Sequence, residues 1–572
     1  MLKAVFTAAM ACALVACQQQ PTISHSDALA RSPAWDATVA EYIEARMAIQ
    51  PSWAVYLGRH EFDGKLPDFS RAGIQRRIDY EHASRDRFRA FTDASLGAAQ
   101  RFERDYLVAD IEGDLFSLED AETPWTNPAY YAWELDPNVY IDREYAPLAQ
   151  RMRAYAAWAR AVPTALAQAR ENLRTPVPLT FLQLGRNIYG SLGRFLEKDV
   201  PGIFAAVRDD KLRAEFDLAN TGAAKALKDF DTWLQALEPT ATSDFALGPE
   251  KFLRMLRATE RVDVPLARLK EMGERDLERN LAALRDACQR FAPGGSVPAC
   301  VAKVQARKPA EGPVLAARKQ LHDLRAFIVD KRVVTIPSAE LADVKEAPPY
   351  RRWNAAYINV PGPYEKNLPS IYRIAPPDPA WSAADQAAYI PATTDLLFIS
   401  AHEVWPGHFL QHLHSARAPA QSARIFRSYA FSEGWAHYAE EMMWEMGLGN
   451  GDPEVHVGQL TNALLRDVRY LSAIGLHTGG MTVAESEAMF REKAFKDAGN
   501  ARQQAARGTF DPGYGNYTLG KLMIRRLRDD WTATHGGRAA WPSFHDEFLS
   551  YGAPPIPLVR GAMLPGDSRP PI

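Results

Sequence analysis

Apolar residues recur at intervals of three and four along most of this 572-residue chain, interleaved with Arg, Glu and Asp. That is the period of a helix with one buried face. Residues 69 to 118, 145 to 172, 264 to 291 and 310 to 331 carry it most clearly, so the expected fold is mainly α. The strand period of two shows only in RVVTIPS (332 to 338), AAYINVPG (355 to 362) and SIYRIAP (370 to 376), which predict a small antiparallel sheet. Clustered Pro and Asp in WELDPNVYIDREYAPL and LRTPVPLTF mark bends between helices. With 47% hydrophobic and 24% charged residues, the chain has the apolar material for a large core. Its formal net charge of −3 leaves no basic field to attract phosphate backbones, which argues against nucleic acid as a partner.

The first residues, MLKAVFTAAMACALVACQQQ, place one Lys before an apolar run that is too short to cross about 30 Å of hydrocarbon. Residues 1 to 17 therefore read as a signal peptide. Leu14-Val15-Ala16-Cys17 resembles the bacterial lipobox, and the resemblance implies that Cys17 carries lipid and tethers the mature protein by acyl chains. Gln18 after that cysteine resembles cargo sent to the outer membrane, so a periplasm-facing lipoprotein is expected there. Residues 18 to 32 form a polar tether, 33 to 330 an N-terminal helical region, and 331 to 572 the region holding the chemistry. Outside the signal only Cys288 and Cys300 remain; QRFAPGGSVPA between them can turn, giving either a disulfide or two buried thiols. Their spacing matches no cysteine metal cluster.

The chemistry centres on His402-Glu403-Val404-Trp405-Pro406-Gly407-His408, an H-E-x-x-H zinc motif with two residues inserted before the second histidine. Histidines at i and i+4 of a helix lie about 40° and 6 Å apart, whereas i and i+6 lie about 120° and 9 Å apart. An undistorted helix cannot turn both toward one ion. Pro406 breaks the hydrogen bonding and Gly407 permits unusual backbone angles, so a bulge that loops out the extra residues is expected to return His408 beside His402. Catalytic zinc needs a third protein ligand and an open position. Glu433, opening Glu433-Gly434-Trp435-Ala436-His437 on the next helix, is the candidate, with Glu403 left as general base for metal-activated water. His437 faces the same side as Glu433 and is a candidate oxyanion donor or alternative ligand.

HEVWPGH followed by EGWAHYAE resembles the bacterial family known as domain of unknown function 885, over most of the mature chain. An H-E-x-x-H followed by a later Glu is also similar to the angiotensin-converting-enzyme and thimet-oligopeptidase groups. That second resemblance implies a two-lobed, helical, zincin-like metallopeptidase with a deep channel that admits short, unfolded peptides. The inserted Pro-Gly departs from those groups. They use a late tyrosine on the oxyanion, and a Tyr-x-x-Gly of the unknown-function family resembles Tyr517 to Gly520 here, in YGNYTLGKLMIRRLR, with Tyr514 as a second candidate.

Several residues carry two readings. His408 and His412, an i, i+4 pair, form a rival site with Glu433 that leaves Glu403 idle. Glu440 and Glu441 either support a ligand histidine through its second nitrogen or form surface salt bridges. Lys521, Arg525 and Arg526 either bind a peptide carboxylate or line a solvated helix face. Arg373 is similar, and the edge of its strand is a candidate partner for an extended substrate. His456 and His477 read as surface or satisfied core residues. The function expected is zinc-dependent hydrolysis of short peptides; the alternatives are a metal-dependent hydrolase of another amide and a non-catalytic envelope scaffold.

Overall fold

The computed structural model describes residues 32 to 572 except 349, 350, 353 and 354. The signal peptide, Cys17 and nearly all of the expected tether lie outside the described residues. The principal helices of the first half are α1 (Pro33–Ile49), α2 (Arg71–Arg89), α3 (Ala98–Leu115), α4 (Leu148–Asn172), α5 (Leu179–Lys198), α6 (Asp210–Leu237), α7 (Pro249–Glu260), α8 (Leu266–Phe291) and α9 (Pro313–Lys331). Local chemistry sets their ends. The Ser32 hydroxyl accepts the Trp35 N–H ahead of Pro33, and the Ser70 hydroxyl accepts the Gly73 N–H at the start of α2. The periodic stretch 69 to 118 divides at a short 3₁₀ turn, Asp93–Ser95, with Gly97 capping α3. Cys288 and Cys300 form a disulfide between the end of α8 and the short helix Val297–Gln305.

Three strands follow: β1 (Ala342–Glu346), β2 (Ala356–Asn359) and β3 (Ser370–Ile374). The order is β1-β3-β2. β1 runs parallel to β3, with Ala342 opposite Ser370, and β2 runs antiparallel, with Ala356 opposite Ile374. The sheet is therefore mixed, not antiparallel. The expected strand at 332 to 338 does not form. Val333 and Val334 are buried, but side chains satisfy the backbone there: the Val333 carbonyl accepts from His545, the Thr335 carbonyl from His414, and the Thr335 N–H donates to Asp546. β3 lies in the centre of the sheet, so neither of its edges is open to a substrate, and Arg373 instead pairs with Asp142.

The remaining principal helices are α10 (Thr393–Glu403), α11 (His408–Ser415), α12 (Tyr429–Glu445), α13 (Pro453–Thr478) and α14 (Asn516–His535). The largest apolar core takes Leu269 and Leu324 from before residue 330 and Leu396, Trp435, Leu464 and Leu527 from after it. A second core fills α4, α5 and α6 through Tyr155, Leu182 and Leu227, and a third joins Trp35, Phe88 and Leu107 to Phe426. α12 and α14 meet at two glycines: a Cβ on Gly434 would stand 2.5 Å from the Gly520 Cα. Two backbones can come this close only where both lack side chains. Among the described residues no helix is long and apolar enough to cross a membrane.

Candidate metal centre

α10 ends at Glu403 and α11 begins at His408, with a cis Trp405–Pro406 bond between them. The Gly407 N–H bonds the Ala401 carbonyl at 2.9 Å and the Leu410 N–H bonds the Val404 carbonyl at 3.3 Å. Each of these hydrogen bonds spans six residues where a helix spans four, so the two inserted residues are looped out of the register. The distortion is a full break into two helices rather than a bulge within one. Gly407 is required at the return: a Cβ there would lie 1.7 Å from the His402 carbonyl oxygen. The Trp435 indole N–H pins the loop by donating to the Pro406 carbonyl at 2.9 Å.

The break turns both histidines toward Glu433 near the start of α12. Glu433 Oε2 stands 3.3 Å from His402 Nε2 and 3.3 Å from His408 Nε2. All three ligand atoms lie within 4.8 Å of one another. A tetrahedral ion bound at about 2.0 to 2.1 Å holds its ligand atoms roughly 3.3 to 3.4 Å apart, the spacing of both pairs. Glu433 Oε2 is buried and meets no donor in hydrogen-bond geometry. A converging, unsatisfied carboxylate oxygen of this kind fits a divalent cation.

Electrostatics around the cluster are tightly compensated. Burial by itself raises the Glu433 carboxyl, but His408 and His402 outweigh it and hold the group well below the usual carboxylate range. Burial lowers His402, yet the close approach of the Glu433 and Glu440 carboxylates raises it to about 9. His402 Nδ1 lies 2.8 Å from Glu440 Oε1, which leaves Nε2 facing the cluster. Arg466, on α13, reaches the same Glu440 oxygen at 3.1 Å. Glu440 thus takes the supporting position rather than a surface salt bridge.

Glu403 ends α10 beside His402, and its Oε2 accepts the Ile358 N–H of edge strand β2 at 3.0 Å. Tyr517 lies in the first turn of α14, its ring stacked on that of His402 at 6.1 Å. Among the described residues its hydroxyl has no hydrogen-bond partner, and burial followed by the charge of Glu433 raises its pKa. Tyr514 is packed away, its hydroxyl 2.7 Å from Ser472. His437 is fully buried against Glu440, with neither ring nitrogen hydrogen-bonded, and burial and Lys521 lower it to about 4. It stands outside the group of three. His412 is also outside that group and meets Arg427.

Lys521 contradicts the expectation of a solvated face. It is fully buried, 2.6 Å from Asp276 and 3.4 Å from Glu441, while Arg525 meets Glu441 at 3.0 Å. His477 is a satisfied core residue bonded to the Gly508 carbonyl, and His456 stacks on Trp444. Sequence reasoning passed over Arg466 and Arg469. The signal was available: α13 is apolar on nearly every face, and charges inside such a helix require buried partners. A separate cavity of about 300 Å³, lined by Arg46, Asp110, Glu260 and Tyr429 among others, adjoins this region, since Tyr429 touches Tyr517 at 5.9 Å. The three candidate ligands do not line it.

These features define a class: a mainly helical protein with a His, His, Glu cluster at the break between two helices. The chain belongs to the family described as bacterial protein of unknown function, DUF885, whose model matches residues 51 to 563. No curated protein matches it. Among solved structures, a protein of unknown function from Shewanella oneidensis described as a lipoprotein aligns with TM-score 0.78 at 23% identity, over 93% of this chain and 100% of that one. A second, from Colwellia psychrerythraea and also described as a lipoprotein, aligns with TM-score 0.77 at 16% identity, over 93% and 98%. Both likenesses concern the fold.

Proposed function

We propose that the protein is a zinc-dependent hydrolase of peptide bonds, with His402, His408 and Glu433 holding the ion and Glu403 acting as general base. The observation that carries this reading is the shared 3.3 Å approach of both imidazole nitrogens to one unsatisfied carboxylate oxygen. When bound there, zinc supplies Lewis acidity, polarising a carbonyl and making water acidic at neutral pH. The chain's own groups do the rest. Glu403 takes the proton of the attacking water and returns it to the departing nitrogen, while the Ile358 N–H steadies its second oxygen. Tyr517, whose hydroxyl meets no partner among the described residues, donates to the developing oxyanion; His437 is sealed from any substrate and is assigned no such role. Glu440 and Arg466 hold the His402 ring in its ligating orientation.

The partial exposure of the His408 and Glu433 side chains, 18% and 21%, supports substrate access to the cluster, from a cleft between two helical lobes in the zincin manner. Leu14 to Cys17 and the description of both structural relatives as lipoproteins support a lipid-anchored position at the cell envelope, and Gln18 supports the outer membrane. The test is metal content per chain, by elemental analysis after zinc addition. Wild type should hold about one equivalent, and His402→Ala and Glu433→Ala should lose it; Glu403→Gln should keep the metal and lose turnover of a peptide library by about 10² or more. Absence of zinc in wild type, or zinc indifferent to both ligand changes, overturns the proposal.

A further inference from the structure

Around Tyr517 stand three guanidinium groups from α13 and the helix Ala498–Phe510: Arg466, Arg469 and Arg507. Two of them are engaged. Arg466 reaches Glu440 at 3.1 Å, and Arg507 holds Asp511 at 2.8 Å and the Tyr429 hydroxyl at 3.0 Å. Arg469 differs. It is more than nine-tenths buried (8% exposed), yet among the described residues its one hydrogen bond runs from Nε to Gln504 at 2.8 Å, and no carboxylate lies within ion-pairing distance. Its two terminal nitrogens have no hydrogen-bond partner among the described residues and are not sealed from solvent. Half-buried Lys496 shares the same field, and among the described residues no carboxylate stands within ion-pairing distance of it, Asp395 and Asp497 acting only from farther off. Burial lowers both groups; Arg507 adds to it at Arg469, which falls to about 10, while at Lys496 the more distant Asp395 opposes it. Holding an unpaired cation in such a place costs free energy unless something anionic completes it.

The position of Arg469 says what that anion does. Its guanidinium lies 5.0 Å from the centre of the Tyr517 ring, which also stacks on the ring of candidate ligand His402 at 6.1 Å. One or two residues of extended chain, about 3.5 Å each, together with a guanidinium–carboxylate contact, bridge those two steps. We propose that Arg469, assisted by Lys496, anchors a substrate carboxylate beside the metal centre, so that the peptides accepted carry a carboxylate one or two residues beyond the bond presented to His402, His408 and Glu433. This rests on the peptidase reading for its substrate, though not for the anion site itself. Arg466 and Arg507 cannot serve, because each already has its carboxylate.

The test is calorimetric titration of the full-length protein, as purified and again after chelation to remove turnover, with three probes. These are acetyl-trialanine, its C-terminal amide, and acetyl-Ala-Ala-Glu amide. Wild type should bind the acid at least about tenfold more tightly than the trialanine amide, the range of a charge-assisted hydrogen bond, with or without metal. Arg469→Gln should abolish the difference and Lys496→Ala should reduce it. Glu amide binding like the acid extends the site to side-chain carboxylates; binding like the plain amide restricts it to chain ends. Equal binding of acid and amide by wild type overturns the proposal, and that comparison needs no variant. A preference that survives Arg469→Gln overturns it as well. An acid preference in a protein that takes up no zinc would keep the anchor and remove the peptidase reading, so the two failures are distinguishable.

Discussion

Replacing Gly520 by Ala sets two opposed effects against each other. Ala is the better helix former by about 1 kcal/mol, so propensity alone predicts a more stable protein. The added Cβ, however, would stand 1.9 Å from the Ala430 carbonyl oxygen and 2.7 Å from the Gly434 Cα, whereas ordinary contact begins near 3.4 Å. The obstacle is backbone, which cannot rotate aside as a side chain can, so α14 must retreat from α12 by roughly 1.5 Å. Overpacking of this kind costs about 1 to 3 kcal/mol, and the retreat also loosens the contacts of buried Leu519, Met523 and Leu527. The net expectation is a loss of about 1 kcal/mol, read as a lower urea midpoint with unchanged slope. Gly434→Ala meets the same contact from the other side, so the double variant should lose less than the sum of the two. Since Glu433 adjoins Gly434 and Tyr517 sits one turn before Gly520, zinc affinity should fall in the same variants. A Gly520→Ala protein as stable as wild type would refute the argument, because it would mean that α12 and α14 are not in backbone contact.

Glu440→Gln keeps the shape of the His402 partner and removes its charge; zinc affinity measured by chelator competition should fall about 10- to 100-fold, and an unchanged affinity would mean that Glu440 serves only Arg466. His60 is a separate, pH-dependent case. Burial lowers it, but Asp63 at 3.1 Å and Glu365 at 3.4 Å raise it to about 9. A raised histidine contributes stability that is complete below its unfolded value near 6.5 and lost as pH climbs through 9. His60→Gln should therefore cost about 2 to 3 kcal/mol at pH 6 and little of that at pH 10, by urea unfolding at both; an equal cost at both would show that stacking on Tyr145, rather than charge, is what His60 supplies.

The helices were legible because each buries one face, and 148–172, 266–291 and 313–331 fall close to where the apolar period placed them. The failed strand at 332 to 338 has a local cause: alternation records which residues are buried, and Val333 and Val334 are buried, but pairing depends on what meets the backbone, here His545, His414 and Asp546 from distant segments. Lys521 misled in a similar way. Its neighbours Arg525 and Arg526 suggest a wet face, and nothing local announces that Asp276 and Glu441 converge on it from α8 and α12.

The candidate site shows why three short motifs had to be read together. In HEVWPGH the proline and glycine predict a departure from the helix, but only the bonds spanning six residues show that the departure restores the register two residues later. EGWAH supplies Glu433 as the point of convergence, and its Trp435 holds the Pro406 carbonyl, so the motif that provides the third candidate ligand also braces the loop that delivers the second. Tyr-x-x-Gly is intelligible only from the other side of the contact. Gly520 is small because Gly434 is opposite, and the same close approach sets Tyr517 against His402. HEVWPGH accounts for Gly407 by itself, through the His402 carbonyl, whereas Gly434 and Gly520 are explained only by each other; taken as one packing unit, all three glycines mark a backbone that must pass close to another for the three side chains to meet.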